Sequence, residues 1–121
     1  MAGVIKKILV AEDEKPMAKA LVLKLNHAGF EAKAAFNGEE AIEEMAKNDY
    51  DLLLLDMIMP RMDGFTVLKK LKEQGTKTKI VVTSNLGQEE DFNKAKELGA
   101  TDYFVKSDTS LSEIVDYIKK M

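Results

Sequence analysis

Short apolar runs alternate along the chain with segments in which apolar residues recur every three to four positions. The short runs predict five strands, at residues 5–11, 30–36, 51–55, 79–84 and 102–106. The periodic segments between and after them predict five amphipathic helices, because that spacing places the apolar side chains on one helix face. Gly29, Gly75 and Gly99 follow three of these segments, at the position where helices commonly end. The pattern therefore predicts five strand-then-helix units.

Two of the predicted strands differ in a way that locates them within a sheet. Four consecutive leucines fill the third run, and continuous apolar sequence is typical of a strand buried on both faces. The second run carries Glu31 and Lys33 in alternation with apolar residues, which indicates one solvated face and an edge position. The dipeptide Asn37-Gly38 after this run predicts a turn.

Five consecutive strand-then-helix units favour a parallel sheet covered by helices on both faces. Short loops and right-handed crossovers leave few topologies, of which the flavodoxin-like strand order 2-1-3-4-5 is the leading one. That order places the second strand at an edge and the leucine-rich third strand near the centre, as their compositions require. The predicted fold class is α/β, a flavodoxin-like (βα)5 doubly wound parallel five-stranded sheet. Residues 1–121 are expected to form a single domain.

Composition excludes several classes of protein. The chain has no Cys, which excludes disulfides and thiolate metal sites. Its longest apolar run is far shorter than the roughly 18 residues of a membrane span, and its first residues lack the apolar stretch of a signal peptide. The formal net charge of −3 argues against direct binding to nucleic acid, since such domains are usually basic. A cytoplasmic protein with no membrane contact is expected.

Chemically active residues follow the predicted strands at one end. Parallel strands bring their carboxyl ends to the same edge of the sheet, where ligand sites of such folds form. The residues at these ends are Glu12 and Asp13 after the first strand, Asp56 after the third, Thr83 and Ser84 in the fourth, and Lys106 in the fifth. Two unit charges ~4 Å apart repel by about 4 kcal/mol at an effective dielectric constant of ~20, so three carboxylates favour a bound cation. Oxygen ligands without His or Cys favour Mg²⁺.

These residues match a known family in their order and spacing. The matching motifs are the acidic pair Glu12-Asp13, the block DMIMPRMDG that begins at Asp56, the Ser84 hydroxyl, the aromatic Tyr103, and Lys106. The block that begins at Asp56 is the most specific of them. Across residues 5–118 the chain resembles the receiver domain of two-component response regulators, in its single-domain, chemotaxis-type form.

The resemblance implies a phosphorylation-dependent signalling switch. Asp56 would accept a phosphoryl group from a histidine kinase, or from a small donor such as acetyl phosphate. Ser84 and Lys106 would each bind a phosphoryl oxygen, and Tyr103 would change rotamer as Ser84 moves. Thr83 is the alternative hydroxyl, although strand alternation points it to the other face of the sheet. The domain would catalyse only its own phosphoryl transfer and dephosphorylation, so we do not expect an enzyme.

The resemblance also implies Mg²⁺, or Mn²⁺ in its place. Asp13, Asp56 and the backbone carbonyl of Ile58 would bind the ion directly, and Glu12 would act mainly through a metal-bound water. The implied partners are a sensor histidine kinase or a phosphotransfer protein, and a downstream target protein. The domain would be a monomer, or a weak dimer through the face formed by the fourth helix, fifth strand and fifth helix. If Met121 is the natural end of the chain, its output must be a change in protein binding or onward transfer of the phosphoryl group.

Two departures from the family pattern bear on the site. Ser107 follows Lys106 where the family usually has proline after a cis peptide bond. Either the site holds this bond cis, at a cost of ~2.5–4 kcal/mol, or the bond is trans and Lys106 is placed differently. Ile58 and Leu86 are apolar where faster-hydrolysing relatives carry polar groups, which predicts slow self-dephosphorylation.

Three other functions fit parts of the pattern. A Mg²⁺-dependent phosphohydrolase of the haloacid dehalogenase type needs a second Asp where this chain has Ile58. A flavodoxin needs a phosphate loop rich in Ser, Thr and Gly after the first strand, where this chain has Glu12, Asp13 and Glu14. A receiver-type docking scaffold that works without phosphorylation has the same motifs, and it is the main alternative.

Overall fold

The computed structural model describes residues 5–121 as alternating strands and helices. The strands are β1 (Lys7–Ala11), β2 (Glu31–Ala35), β3 (Leu52–Leu55), β4 (Lys79–Ser84) and β5 (Asp102–Val105). The helices are α1 (Lys15–His27), α2 (Gly38–Lys47), α3 (Gly64–Glu73), α4 (Glu89–Glu97) and α5 (Leu111–Lys119), with a single 3-10 turn (Lys106–Asp108) before α5. The predicted order of elements is confirmed, and no strand end lies more than two residues from its predicted position.

All five strands are parallel, in the order β2-β1-β3-β4-β5. This confirms the predicted fold class and topology. The register pairs Ala11 with Leu55, and Leu55 with Val82. The residues that follow β1 and β3 therefore emerge side by side at the carboxyl edge of the sheet.

The core lies in two layers, one on each face of the sheet. Leu53 and Leu55 of β3 pack into the layer under α2, α3 and α4, and Leu52 and Leu54 pack into the layer under α1 and α5. All four side chains are buried, which explains why a strand in the middle of this sheet is made of leucine alone. The helices above these layers are amphipathic, and within residues 5–121 each is too short or too polar to span a bilayer.

Strand β2 forms an edge of the sheet, as its alternating pattern predicts. The side chains of Glu31 and Lys33 are exposed, whereas Ala35 is buried. On the open side of this strand, the amide of Ala32 donates to Oδ1 of Asn26 at 2.9 Å. Charged side chains and an occupied edge amide both disfavour pairing with a further strand.

Helix α2 begins at Gly38, which the sequence analysis placed in a turn before the helix. The Asn37 side chain caps it by accepting from the Glu40 amide at 2.9 Å, so Gly38 is the first helical residue and not part of a turn. Helix α5 begins with a capping box, in which the Ser110 hydroxyl accepts from the Glu113 amide and the Glu113 carboxylate accepts from the Ser110 amide, both at 3.1 Å.

Candidate functional site

Three carboxylates meet at the carboxyl edge of the sheet. Glu12 directly follows β1 and Asp56 directly follows β3, and the Asp56 amide donates to the carbonyl of Ala11 at 3.0 Å. Asp13 completes the cluster, because one oxygen from each of the three carboxylates lies within 4.8 Å of the others. Glu12 and Asp56 are buried, whereas Asp13 is partly open to solvent. The structure thus brings the three predicted acids together.

The ammonium group of Lys106 lies against this cluster. Its Nζ donates to Oδ2 of Asp56 at 3.0 Å and also pairs with Oε1 of Glu12. Its side chain is only 9% exposed. The peptide bond between Lys106 and Ser107 is trans, as are all the others in residues 5–121. Of the two alternatives for this bond the trans form therefore holds, and the ammonium group still reaches both acids.

Burial and mutual repulsion shift the ionisation of the cluster. Burial raises the pKa of Glu12 to about 7, and the Asp56 charge adds to this rise, while Lys106 and the amide of Glu14 oppose it. For Lys106, burial alone would lower the pKa, but bonds to Glu12 and Asp56 outweigh burial and raise it. The cluster thus holds its ammonium group charged and leaves Glu12 partly protonated near neutral pH.

The two predicted switch residues contact one residue of the β4–α4 loop. Ser84 is fully buried at the end of β4, and its hydroxyl accepts from the amide of Leu86 at 3.2 Å. The Tyr103 hydroxyl donates to the carbonyl of Leu86 at 2.7 Å. The Tyr103 ring packs edge-on against Phe92 of α4, with ring centroids 4.7 Å apart. Leu86 therefore links β4 to β5, and the Tyr103 ring links β5 to α4.

Strand alternation separates the two candidate hydroxyls of β4. Val82 packs into the layer under α2, α3 and α4, so Ser84, two residues later, lies on that side. Thr83 lies on the opposite side and lines a small cavity together with Glu12 and Lys106. The choice of Ser84 as the phosphoryl ligand stays a prediction.

The loop after Asp56 alternates between buried and exposed side chains. Met57 and Met59 are buried in the core, whereas Ile58 is 56% exposed. The amide of Ile58 donates to Oδ1 of Asp56 at 3.2 Å. An exposed apolar side chain therefore stands next to the Asp56 carboxylate, while Leu86 is half-buried. Slow self-dephosphorylation stays a prediction.

Two glycines make close contacts with the loop after Asp56 that the sequence interpretation did not predict. A Cβ at Gly38 would collide with the backbone of Met62, and one at Gly64 would collide with the carbonyl of Asp56. The spacing of Asn37 and Glu40 is a helix-capping signal that could have placed Gly38 in α2. No sequence signal indicates its contact with Met62, which is distant along the chain.

The donor set of the cluster suits a hard divalent cation. Carboxylate oxygens prefer Mg²⁺ or Mn²⁺, whereas softer metals favour imidazole and thiolate ligands. His27, the only histidine, lies exposed at the end of α1, and the chain has no Cys. Three carboxylates and one ammonium group leave a local formal charge of −2 when all are ionised, which a divalent ion would balance.

Comparisons with known proteins agree with this geometry. The family model described as the response regulator receiver domain matches residues 8–119. The transcriptional regulatory protein DltR of Streptococcus agalactiae is 37% identical over 100 residues, covering 83% of this chain and 45% of the relative. This chain thus spans about half the length of the curated relatives it matches.

Solved structures are similar over nearly the whole chain. The receiver domain of the Francisella response regulator 1452 is 31% identical, with a TM-score of 0.89, covering 95% of this chain and 94% of that one. The response regulator TrrA of Thermotoga maritima, solved in complex with Mg²⁺ and BeF, is also 31% identical, with a TM-score of 0.82, covering 96% and 98%. The chain therefore belongs to the response regulator receiver domain family.

Proposed function

We propose that this receiver is a phosphorylation-dependent switch whose phosphoacceptor is Asp56. Receivers of this family are signalling domains that act between histidine kinases and downstream effectors. The observation that carries the proposal is the setting of Asp56: a buried carboxylate at the carboxyl edge of the sheet, bonded to Lys106 and beside two further carboxylates. Reactive groups are commonly held in such coupled, buried settings.

Asp13, Asp56 and the backbone carbonyl of Ile58 are the proposed ligands of Mg²⁺, with Glu12 acting through a bound water. Mn²⁺ suits the same oxygen ligands. When bound, the ion offsets negative charge on the carboxylates and on the transferred phosphoryl group. Clustering of the three carboxylates within 4.8 Å supports this assignment.

Phosphoryl transfer requires positioning and charge neutralisation more than covalent help from the protein. One oxygen of Asp56 attacks the phosphorus, the bond from phosphorus to the donor nitrogen breaks, and the donor histidine keeps that electron pair. Asp56 becomes an acyl phosphate. Lys106, already held on Asp56 at 3.0 Å, moves to an oxygen of the incoming group and neutralises part of its charge. The proposed donor is a sensor histidine kinase or a phosphotransfer protein.

Switching then follows from new hydrogen bonds to the phosphoryl oxygens. The Ser84 hydroxyl accepts from the amide of Leu86 and carries one proton of its own, which it would donate to such an oxygen. Because Tyr103 is bonded to the carbonyl of Leu86, a shift of Ser84 and its loop changes the position of Tyr103. The output is a change in the α4–β5–α5 face, which binds a downstream target protein or a second copy of the chain. A cytoplasmic location is part of the proposal.

Beryllofluoride with Mg²⁺ tests the proposal, because it mimics an acyl phosphate without being hydrolysed. Amide NMR spectra of the wild-type chain are expected to show shifts at Ser84, Leu86 and Tyr103 when both reagents are added, and no such shifts for Asp56→Asn. A wild-type spectrum that stays unchanged contradicts the proposal and favours the docking scaffold that works without phosphorylation.

A further inference from the structure

We propose that Gly38 is a positioning residue for the metal site, although it lies on a different element from every predicted ligand. The inference rests on the proposed function, because it assumes that the loop after Asp56 supplies a ligand to Mg²⁺. Gly38 brings the start of α2 against the backbone of that loop. Its missing side chain thereby fixes the path of residues 57–63, and with it the carbonyl of Ile58.

The contact at Gly38 leaves no room for a side chain. A Cβ built on Gly38 would lie 2.6 Å from the Cβ of Met62 and 2.8 Å from its carbonyl carbon, with the carbonyl oxygen closer still. Two of these three atoms belong to the backbone, so a rotamer change at Met62 cannot make space. Gly38 itself is buried, and the Asn37 cap fixes the start of its helix. A substitution must therefore move either α2 or the loop.

The same loop is held at its other end by a second glycine. Gly64, the first residue of α3, donates its amide to the carbonyl of Met57 at 2.9 Å. A Cβ there would lie 2.7 Å from the Cα of Met57 and would also meet the carbonyl of Asp56. The loop is thus closed onto Asp56 by α3 and supported from outside by α2. Ile58 lies between these two contacts.

The charged side chains near Gly38 do not explain how α2 supports the loop after Asp56. Arg61 pairs with Glu39 at 3.4 Å, but both side chains are about half exposed or more, and such surface pairs contribute little. Arg61 has a φ of 68°, a left-handed conformation that non-glycine residues rarely adopt. The bond from the Met62 amide to the Pro60 carbonyl at 2.7 Å spans this residue, and the packing of Met62 on Gly38 supports the same turn from outside.

The matched pair Gly38→Ala and Gly87→Ala tests the inference. Neither position needs a left-handed φ, and helix propensity alone favours Ala at position 38. A Cβ at Gly87 meets only methyl groups of Val105, at 3.7 and 3.9 Å, which is ordinary contact. Each folded variant is titrated with Mg²⁺ alone, and the dissociation constant is read from amide NMR shifts.

We expect Gly38→Ala to weaken Mg²⁺ binding about tenfold, the loss typical when a group that orients a metal ligand is removed. Gly87→Ala is expected to stay within about twofold of the wild type, as for a substitution that meets no close neighbour. Glu39→Gln, which removes the charge pair and keeps the backbone contact, is expected to behave like Gly87→Ala. A folded Gly38→Ala variant with wild-type affinity overturns the inference and leaves the proposed function intact, whereas a wild-type chain that does not bind Mg²⁺ overturns both.

If Gly38→Ala does not fold, the Mg²⁺ titration of the wild-type chain tests the inference instead. The amide signals of Gly38 and Met62 are then expected to shift with the same dissociation constant as that of Ile58, although neither residue is a ligand. The amide of Gly75, which lines a cleft at the opposite edge of the sheet, serves as the unresponsive reference. Signals of Gly38 and Met62 that stay still while Ile58 moves overturn the inference.

Discussion

Asp51 and Asp56 lie at opposite ends of the same strand and have different surroundings. Asp51 precedes β3, is exposed, and accepts from the backbone amides of Lys6 at 3.0 Å and Lys7 at 2.9 Å. Asp56 follows β3, is buried, and accepts from one amide and from the side chain of Lys106. Two further carboxylates lie beside Asp56.

The comparison contrasts an acid that is bonded within the fold with the acid that we propose as the phosphoacceptor. Asp51 joins the start of β3 to the start of β1 through backbone donors, which is a structural role. The acids beside Asp56 repel one another, and one ammonium group cannot neutralise all three. An arrangement that costs stability when empty is expected where a cation and an anion bind. The predictions below exploit this contrast.

The largest expected effect separates the two aspartates directly. Asp56→Asn removes the proposed nucleophile and is expected to abolish Mg²⁺-dependent labelling by acetyl phosphate. Asp51→Asn is the matched control: it loses charge-assisted bonds to two amides, which is expected to cost about 1 kcal/mol of stability, and it keeps full labelling. Intact-mass spectrometry and thermal unfolding measure the two outcomes. Loss of labelling in Asp51→Asn would break the comparison.

Replacing Lys106 is expected to strengthen metal binding while weakening phosphoryl transfer. The ammonium group occupies oxygens of Glu12 and Asp56 and repels a second cation. Lys106→Met keeps most of the apolar stem and is expected to tighten Mg²⁺ binding about tenfold, or ~1.4 kcal/mol. A titration followed by amide NMR measures the affinity. Weaker Mg²⁺ binding in this variant would show that Lys106 does not compete with the ion.

The ionisation of Glu12 predicts how stability without metal depends on pH. Because burial raises its pKa from 4.5 to about 7, the folded chain binds more protons than the unfolded chain between these values. The free energy of unfolding should therefore fall as pH rises through this window. Glu12→Gln removes the effect, and urea unfolding at several pH values isolates it as the difference between the two proteins. Parallel curves across the window would count against the shifted pKa.

The smallest expected effect lies at the opposite edge of the sheet. The Tyr50 hydroxyl donates to Oε1 of Glu44 at 2.6 Å and is the main reason that the pKa of Glu44 is lowered. At pH values above 4.5, Tyr50→Phe is expected to lower the melting temperature by a few degrees. At lower pH, where acid protonates Glu44, the melting temperature should fall by less. Mg²⁺ affinity and labelling should not change. A change in either would show that the carboxyl and amino ends of the strands are coupled, and it would weaken the contrast between them.

The fold could be predicted from the sequence because the composition of each strand agrees with its position in the sheet. Four leucines in a row can be buried only between two helical layers, and Glu31 with Lys33 fits only an edge strand. The start of α2 was misplaced because Asn37-Gly38 is common both in turns and at helix starts, and only the bond to the Glu40 amide distinguishes them. Strand β5 ends at Val105, one residue before its predicted end, because Lys106 begins a 3-10 turn.

For the site, chain order could bring the acids together but could not supply their contacts. Asp51 and Asp56 both flank the leucine run, and chain direction already places Asp56 at the carboxyl edge, but the bonds of Asp51 to the amides of Lys6 and Lys7 could not be read from the sequence. The pairing of Lys106 with Glu12, and the link from Ser84 to Tyr103 through Leu86, depend on side-chain geometry that no spacing rule encodes.

Mapping the phosphoryl group on the labelled wild-type chain tests the central claim most directly. The chain is incubated with acetyl phosphate and Mg²⁺, and the modified residue is located by peptide mass spectrometry under conditions that preserve acyl phosphates. The account predicts one phosphoryl group per chain, on Asp56, which appears only when Mg²⁺ is present. Modification of another residue, or none at all with Mg²⁺ bound, would contradict it.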